Sequence, residues 1–132
     1  MIDNTERQRK MANRILIVDD AVIMRLRIRE IAEQAGWEVV GEAETGQQAV
    51  ELYSSLKPNL VTMDIVMPIM DGVEALRTIR KLDAQARVCM VSAVNQKEKL
   101  MECIRLGAID FIVKPFDKTR LQTFFELQGR DS

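Results

Sequence analysis

The sequence predicts an α/β domain of the doubly wound kind: five parallel strands in the order 2-1-3-4-5, with helices on both faces of the sheet. Three observations carry this expectation. Apolar runs of four to six residues alternate with amphipathic stretches of ten or more, the pattern of repeated βα units. Several of the runs are continuously apolar, as strands covered on both faces must be. Right-handed crossovers then restrict a (βα)5 chain to a few topologies, of which the flavodoxin-like order is the common one. Its ligand site lies beyond the carboxyl ends of the strands, at the switch point between the first and third.

The expected strands are Arg14-Ile15-Leu16-Ile17-Val18, Glu38-Val39-Val40-Gly41-Glu42, Leu60-Val61-Thr62-Met63, Val88-Cys89-Met90-Val91 and Ile109-Asp110-Phe111-Ile112-Val113. The first, third and fourth read as central, and the second alternates like a strand near an edge. Between them, Met24, Ile28, Ile31 and Ala35 form one helix face, with Gly36 as a left-handed stop. Thr45 with Gln48, and Asp71 with Glu74, have capping-box spacing. Asn95 can cap a helix carrying Leu100, Met101 and Ile104, closed by Gly107, and a last helix near 118 to 128 turns Leu121, Phe124 and Phe125 inward.

A length of 132 residues suits one domain. Residues 1–12 are polar and aperiodic and read as a flexible tail, in which Met11 is a possible alternative start. The domain spans 13–128, and 129–132 form a short C-terminal tail. Nineteen Lys and Arg against twenty Asp and Glu leave a net charge of −1, which gives no electrostatic case for nucleic acid or an anionic membrane. No run has the length of a membrane span and the start is too polar for a secretory signal, so the expected location is the cytoplasm. Cys89 and Cys103 lie in apolar patterns and read as reduced core residues. Histidine is absent, which excludes histidine-based zinc sites and histidine acid/base chemistry. If the chemistry involves a phosphohistidine, that histidine must come from another protein.

At the strand ends the chemistry gathers. The first strand runs into Asp19-Asp20, the third into Asp64, the fourth into Ser92 and the fifth into Lys114-Pro115. An aspartate ending a strand is ordinarily a turn or capping residue, but the conjunction at four corresponding ends points to a site. Three close carboxylates repel one another unless a cation is present. Few carboxylates with retained waters suit Mg²⁺ better than Ca²⁺. Adding Lys114 and the Ser92 hydroxyl suggests a phosphoryl group to be held.

The motifs Ile15-Leu16-Ile17-Val18-Asp19-Asp20, Met63-Asp64-Ile65-Val66-Met67-Pro68-Ile69-Met70-Asp71-Gly72, Val91-Ser92-Ala93 and Phe111-Ile112-Val113-Lys114-Pro115-Phe116 together resemble the receiver domains of two-component response regulators, in style closest to single-domain chemotaxis receivers of the CheY type. The resemblance implies that Asp64 is the phosphoacceptor, with Lys114 and Ser92 contacting the phosphoryl group. It implies Mg²⁺ bound by Asp20, Asp64 and the backbone carbonyl of Val66, with Asp19 reaching it mainly through water. It implies a switch coupling Ser92 to Phe111, although Phe111 lacks a hydroxyl and has a core phenylalanine as its alternative reading. It also implies a cis bond before Pro115. Val66 and Val94 occupy positions that usually hold side chains near the attacking water, so a long-lived aspartyl phosphate is expected.

The resemblance further implies a histidine kinase or histidine phosphotransfer protein as donor, with Ile23 and Arg25 as candidate docking residues, and a monomer or phosphorylation-dependent dimer. A downstream protein would bind the fourth helix, fifth strand and fifth helix, with Gln96, Lys97, Lys99 and Phe111 among the candidates. The absence of a Pro/Gly/Ser-rich linker before Ser132 favours a stand-alone switch over a receiver cut from a larger regulator with a DNA-binding or enzymatic output domain. A true phosphohydrolase is disfavoured because no second acid stands two residues after Asp64. A flavin module is disfavoured because acids occupy the corner where an anion would sit.

Overall fold

The structure is a computed structural model that describes residues 13–129. The tails expected at 1–12 and, Gly129 apart, at 129–132 lie outside the described residues. The elements in chain order are β1 (Arg14–Val18), α1 (Val22–Gln34), β2 (Glu38–Ala43), α2 (Gly46–Leu56), β3 (Leu60–Met63), α3 (Gly72–Leu82), β4 (Val88–Ala93), a 3-10 turn (Val94–Gln96), α4 (Lys97–Arg105), β5 (Asp110–Lys114) and α5 (Lys118–Gln128). All strand pairs are parallel and the order is β2-β1-β3-β4-β5, as expected.

Alternation along each strand divides the core into two layers, because successive side chains point to opposite faces. Leu16, Val18, Val61, Met63, Val88 and Met90 pack on one face with Ala49, Tyr53, Leu76, Ile79, Leu100 and Cys103 from α2, α3 and α4. Ile15, Ile17, Leu60, Cys89, Val91 and Ile112 pack on the other with Ile28, Ile31, Leu121, Phe124 and Phe125 from α1 and α5. Trp37 closes that second layer, its indole Nε1 donating to the Phe125 carbonyl at 3.0 Å. Cys89 and Cys103 are free and buried.

Several local expectations shift. β2 continues to Ala43 and β4 to Ala93, while β5 runs from Asp110 to Lys114, so Ser92 and Lys114 are residues of their strands rather than of the loops beyond. Glu38–Ala43 carries a register shift at Ile15/Leu16 of β1, which gives edge strand β2 an irregular pairing. On α1 the buried residues are Arg25, Ile28, Ile31 and Ala32, with Met24 and Ala35 only partly covered. Met101 and Ile104 are largely exposed on α4, leaving Leu100 and Cys103 to face the core.

Asn95 does not cap α4. The chain enters that helix through the 3-10 turn, and Asn95 Oδ1 instead accepts from the Gln96 side chain at 3.3 Å. The Thr45 hydroxyl does accept from Gln48 N, but the Gln48 side chain returns to Glu44 N, one residue before the cap. Asp71 Oδ1 accepts from Glu74 N, and Asp117 caps α5 through Arg120 N. Gly36 and Gly107 adopt positive φ after α1 and α4, as a left-handed stop requires.

The loop from β3 to α3 holds Ile69 at φ 70° with 81% of its surface exposed. A β-branched residue is strained in this region, and no burial offsets the strain. Ile69→Gly is therefore expected to stabilise the fold by about 1 kcal/mol, the relief of strain exceeding the added freedom of the unfolded chain. Chemical denaturation checks this through a higher midpoint at unchanged slope.

Candidate functional site

The backbone hydrogen-bond ladder runs one residue past β1 and β3, and so fixes the first two acids. Asp19 N donates to the Ala43 carbonyl and Asp64 N to the Val18 carbonyl, both at 3.0 Å. The apolar strands end here, and the acids follow directly. Asp19 is 1% and Asp64 7% exposed, whereas Asp20 stands open to solvent. One carboxylate oxygen from each of Asp19, Asp20 and Asp64 lies within 4.8 Å of the others. Two of these carboxylates are oriented locally: Asp19 Oδ1 accepts from Ala21 N at 2.9 Å, and Asp64 Oδ1 from Ile65 N at 2.8 Å.

Lys114, at the end of β5, brings its ammonium to 2.7 Å from Asp19 Oδ2 and 3.5 Å from Asp64 Oδ2. The Lys114–Pro115 bond is cis, as the sequence resemblance implied. Burial pushes the Asp64 carboxyl up to about 6 from its usual value; Lys114 opposes that rise and Asp19 adds to it.

Ser92 is 1% exposed, and its Oγ has no hydrogen-bond partner among the described residues. A buried hydroxyl left unpaired costs about 1–3 kcal/mol, so this group invites an oxygen or nitrogen from a ligand. Thr62 Oγ1 is also unpaired among the described residues, and Thr62, like Ser92, is the penultimate residue of its strand. Three carboxylates, an ammonium and an orphaned hydroxyl fit a hard divalent cation together with a phosphoryl group.

Around this centre, Val66 is 54% and Val94 71% exposed, neither able to orient water by hydrogen bonding. Phe111 is 39% exposed on β5, Gln96 ends the 3-10 turn, and Lys97 and Lys99 lie at the start of α4. The two docking candidates separate. Ile23 is 76% exposed, whereas Arg25 is 8% exposed and engaged inward with the Asp19 carbonyl and Glu42, so Arg25 is corrected from a docking group to a buried one. Aliphatic and cationic roles are exchanged because the buried stripe of α1 passes through 25, 28 and 32 rather than 23.

Gly72 carries no functional group and stands in the sequence only as the end of the β3–α3 motif, yet its backbone touches the site. Gly72 N donates to the Ile65 carbonyl at 2.7 Å, and a Cβ there would overlap the Asp64 carbonyl oxygen. The Asp-Gly pair before a helix was the available signal. Among the described residues no helix is long and apolar enough to cross a membrane.

Residues 15–126 match the family described as Response regulator receiver domain. The chemotaxis protein CheY of Bacillus subtilis (strain 168) is 56% identical over 111 residues, covering 84% of this chain and 92% of that protein. The chemotaxis protein CheY of Thermotoga maritima is 50% identical over the same shares of the two chains. Among solved structures, the fold is similar to the crystal structure of the CheX-CheY-BeF3-Mg+2 complex from Borrelia burgdorferi. That match has a TM-score of 0.82 and 34% identity and covers 89% of each chain. It is also similar to the response regulator domain of Thermotoga maritima CheB, with a TM-score of 0.78, 38% identity, and coverage of 89% of this chain and 93% of that one.

Proposed function

We propose, on the premise that this chain belongs to the response regulator receiver family, that Asp64 accepts a phosphoryl group from a phosphohistidine donor and that the modified domain switches a protein-binding surface. The observation that carries this reading is the convergence of Asp19, Asp20, Asp64, Lys114 and the unpartnered Ser92 hydroxyl at the carboxyl ends of four strands.

In the proposed reaction a carboxylate oxygen of Asp64 forms a bond to phosphorus while the donor's P–N bond breaks and its electron pair returns to the imidazole. The Ile65 amide, bonded to Asp64 Oδ1, limits rotation of the nucleophile and so favours an in-line approach. Lys114, in reach of both Asp19 and Asp64, supplies a compact positive charge to the equatorial oxygens. Ser92 donates its unused hydroxyl to a phosphoryl oxygen. Asp20, Asp64 and the Val66 carbonyl, with Asp19 behind them, would hold Mg²⁺, which when bound neutralises carboxylate and phosphoryl charge. The similar Borrelia burgdorferi structure, a CheX-CheY-BeF3-Mg+2 complex, supports both a cation and a protein partner.

Phosphorylation turns a single negative charge into a larger dianionic group and gives Ser92 a partner. The proposed switch couples that new bond to Phe111 on β5, half-exposed, with its carbonyl accepting from Arg120 of α5. Output is then binding of a protein to the α4/β5/α5 face, where Gln96, Lys97 and Lys99 lie near the α4 start. The domain acts in the cytoplasm, as a monomer or a phosphorylation-dependent dimer, with no direct contact to nucleic acid. Ile23 is the docking residue retained for the donor.

The reading is tested with a phosphorylated histidine kinase or phosphotransfer protein. Label is expected to pass to this chain in Mg²⁺ and not in EDTA; transfer of equal extent without the cation would remove the proposal. Val66→Asn, which places a hydrogen-bonding group two residues after the nucleophile, is expected to speed phosphoryl decay on the order of tenfold, less than a full general-base effect. Single-exponential decay of isolated phosphoprotein measures it, and an unchanged rate would show that Val66 does not set the lifetime.

A further inference from the structure

We infer that Arg25 is a positioning residue for the cation-binding acids: held by Glu42 on β2, its guanidinium grips the Asp19 carbonyl and fixes the backbone from which Asp19 and Asp20 project. The inference rests on the reading that Asp19, Asp20 and Asp64 bind a divalent cation, and deepens it.

The geometry points one way. Arg25 Nη1 donates to Asp19 O at 2.7 Å in a buried bond, and Nε donates to Glu42 Oε1 at 2.9 Å. Nη2 lies 3.6 Å from Glu44 Oε1. Glu42 is itself held from its other oxygen by Arg29, whose Nη2 and Nε lie at 2.6 and 3.0 Å from Oε2. Arg29 is also paired with Glu33 along the helix. The chain thus runs Arg29, Glu42, Arg25, Asp19 carbonyl, and ties α1 and edge strand β2 to the end of β1.

A carbonyl at a strand end needs a donor, but a neutral amide would have sufficed. A guanidinium instead presents several donors in a rigid fork, so one side chain can join a carbonyl to a carboxylate without rotating. The same backbone segment is gripped from the other side, since Asp19 N donates to Ala43 O and Ala21 N to Asp19 Oδ1. Only the exposed Asp20 lies between these restraints. Its carboxylate reaches the cluster only while the peptide before it is held. Lysine at position 25 keeps the charge but has one nitrogen, so it cannot serve the Asp19 carbonyl and Glu42 with the same geometry.

The test uses the full chain and Mg²⁺ alone as ligand. Calorimetric titration of wild type, Arg25→Lys and Arg25→Gln is compared with Tyr53→Phe. The last variant loses the bond from Tyr53 Oη to Asp83 Oδ2 and so lowers stability away from the acids. Mg²⁺ affinity is expected to fall about three- to tenfold in Arg25→Lys, further in Arg25→Gln, and less than twofold in Tyr53→Phe. Amide exchange at Asp19 and Ala21 in metal-free Arg25→Lys is expected to accelerate more than exchange in β4. If Arg25→Gln does not fold, Arg25→Lys and its exchange pattern decide alone. Wild-type affinity with unchanged exchange in Arg25→Lys overturns the inference while leaving the cation site standing. An equal loss in Tyr53→Phe overturns it in favour of general stability. No Mg²⁺ binding by wild type overturns the site reading and this inference with it.

Discussion

Gly72→Ala is expected to destabilise the protein by about 2–4 kcal/mol and to abolish measurable Mg²⁺ binding. The added Cβ would overlap the Asp64 carbonyl oxygen and stand 2.9 Å from Ile65 Cα. Both are backbone atoms of the segment that carries Asp64, so no side-chain rotation can relieve the contact. Either α3 moves away, losing the bond from Gly72 N to Ile65 O, or the Asp64–Ile65 peptide shifts and takes the carboxylate out of the cluster. Urea denaturation and Mg²⁺ calorimetry together check this; wild-type values in both would show that the loop is softer than its packing indicates.

Asp64→Asn is expected to stabilise the metal-free protein at pH 7.5 by about 1–2 kcal/mol, a rise of roughly 5 °C in Tm. Burial and the neighbouring Asp19 raise the folded-state carboxyl to about 6 from an ordinary 3.8, with Lys114 offsetting part of that rise. Protons therefore bind the folded state more tightly, and the ionised Asp64 lowers stability at every pH above about 6. As pH falls from there toward about 4 the wild-type carboxyl becomes neutral, and the advantage of asparagine disappears. The expected value is smaller than the full shift because the cleft is open on the Asp20 side. Mg²⁺ should reverse the ranking, stabilising wild type more than the variant. Thermal melts in EDTA across this pH range, repeated with Mg²⁺, supply the measurement. A variant less stable than wild type in EDTA at pH 7.5 would mean that Asp64 is stabilised by its surroundings rather than strained.

What was legible in the sequence, and what was not, follows from range of interaction. The strands β1, β3 and β4 announce themselves because burial on both faces demands continuous apolar runs, and parallel pairing then places Asp19, Asp64 and Ser92 at the same end of the sheet. Lys114 belongs to the same logic through β5. Asn95 was misread because side-chain capping competes with a 3-10 entry, a choice settled by how β4 hands the chain to α4. Arg25 was misread for a different reason. Its alignment with Ile28 and Ala32 at i+3 and i+7 was visible, but a cation on an apolar stripe makes sense only with its anion, and Glu42 is 17 residues away on another element. The close approach of Gly72 to Asp64 depends on a loop path that no local periodicity encodes.

Intact-mass and peptide-level analysis of the protein treated with acetyl phosphate, with and without Mg²⁺, tests the central claim most directly when wild type is set beside Asp64→Asn. The expected result is a single Mg²⁺-dependent, hydroxylamine-labile phosphoryl adduct on the peptide carrying Asp64, absent from the variant. An adduct of equal yield in Asp64→Asn, or none in wild type with Mg²⁺ present, would contradict it.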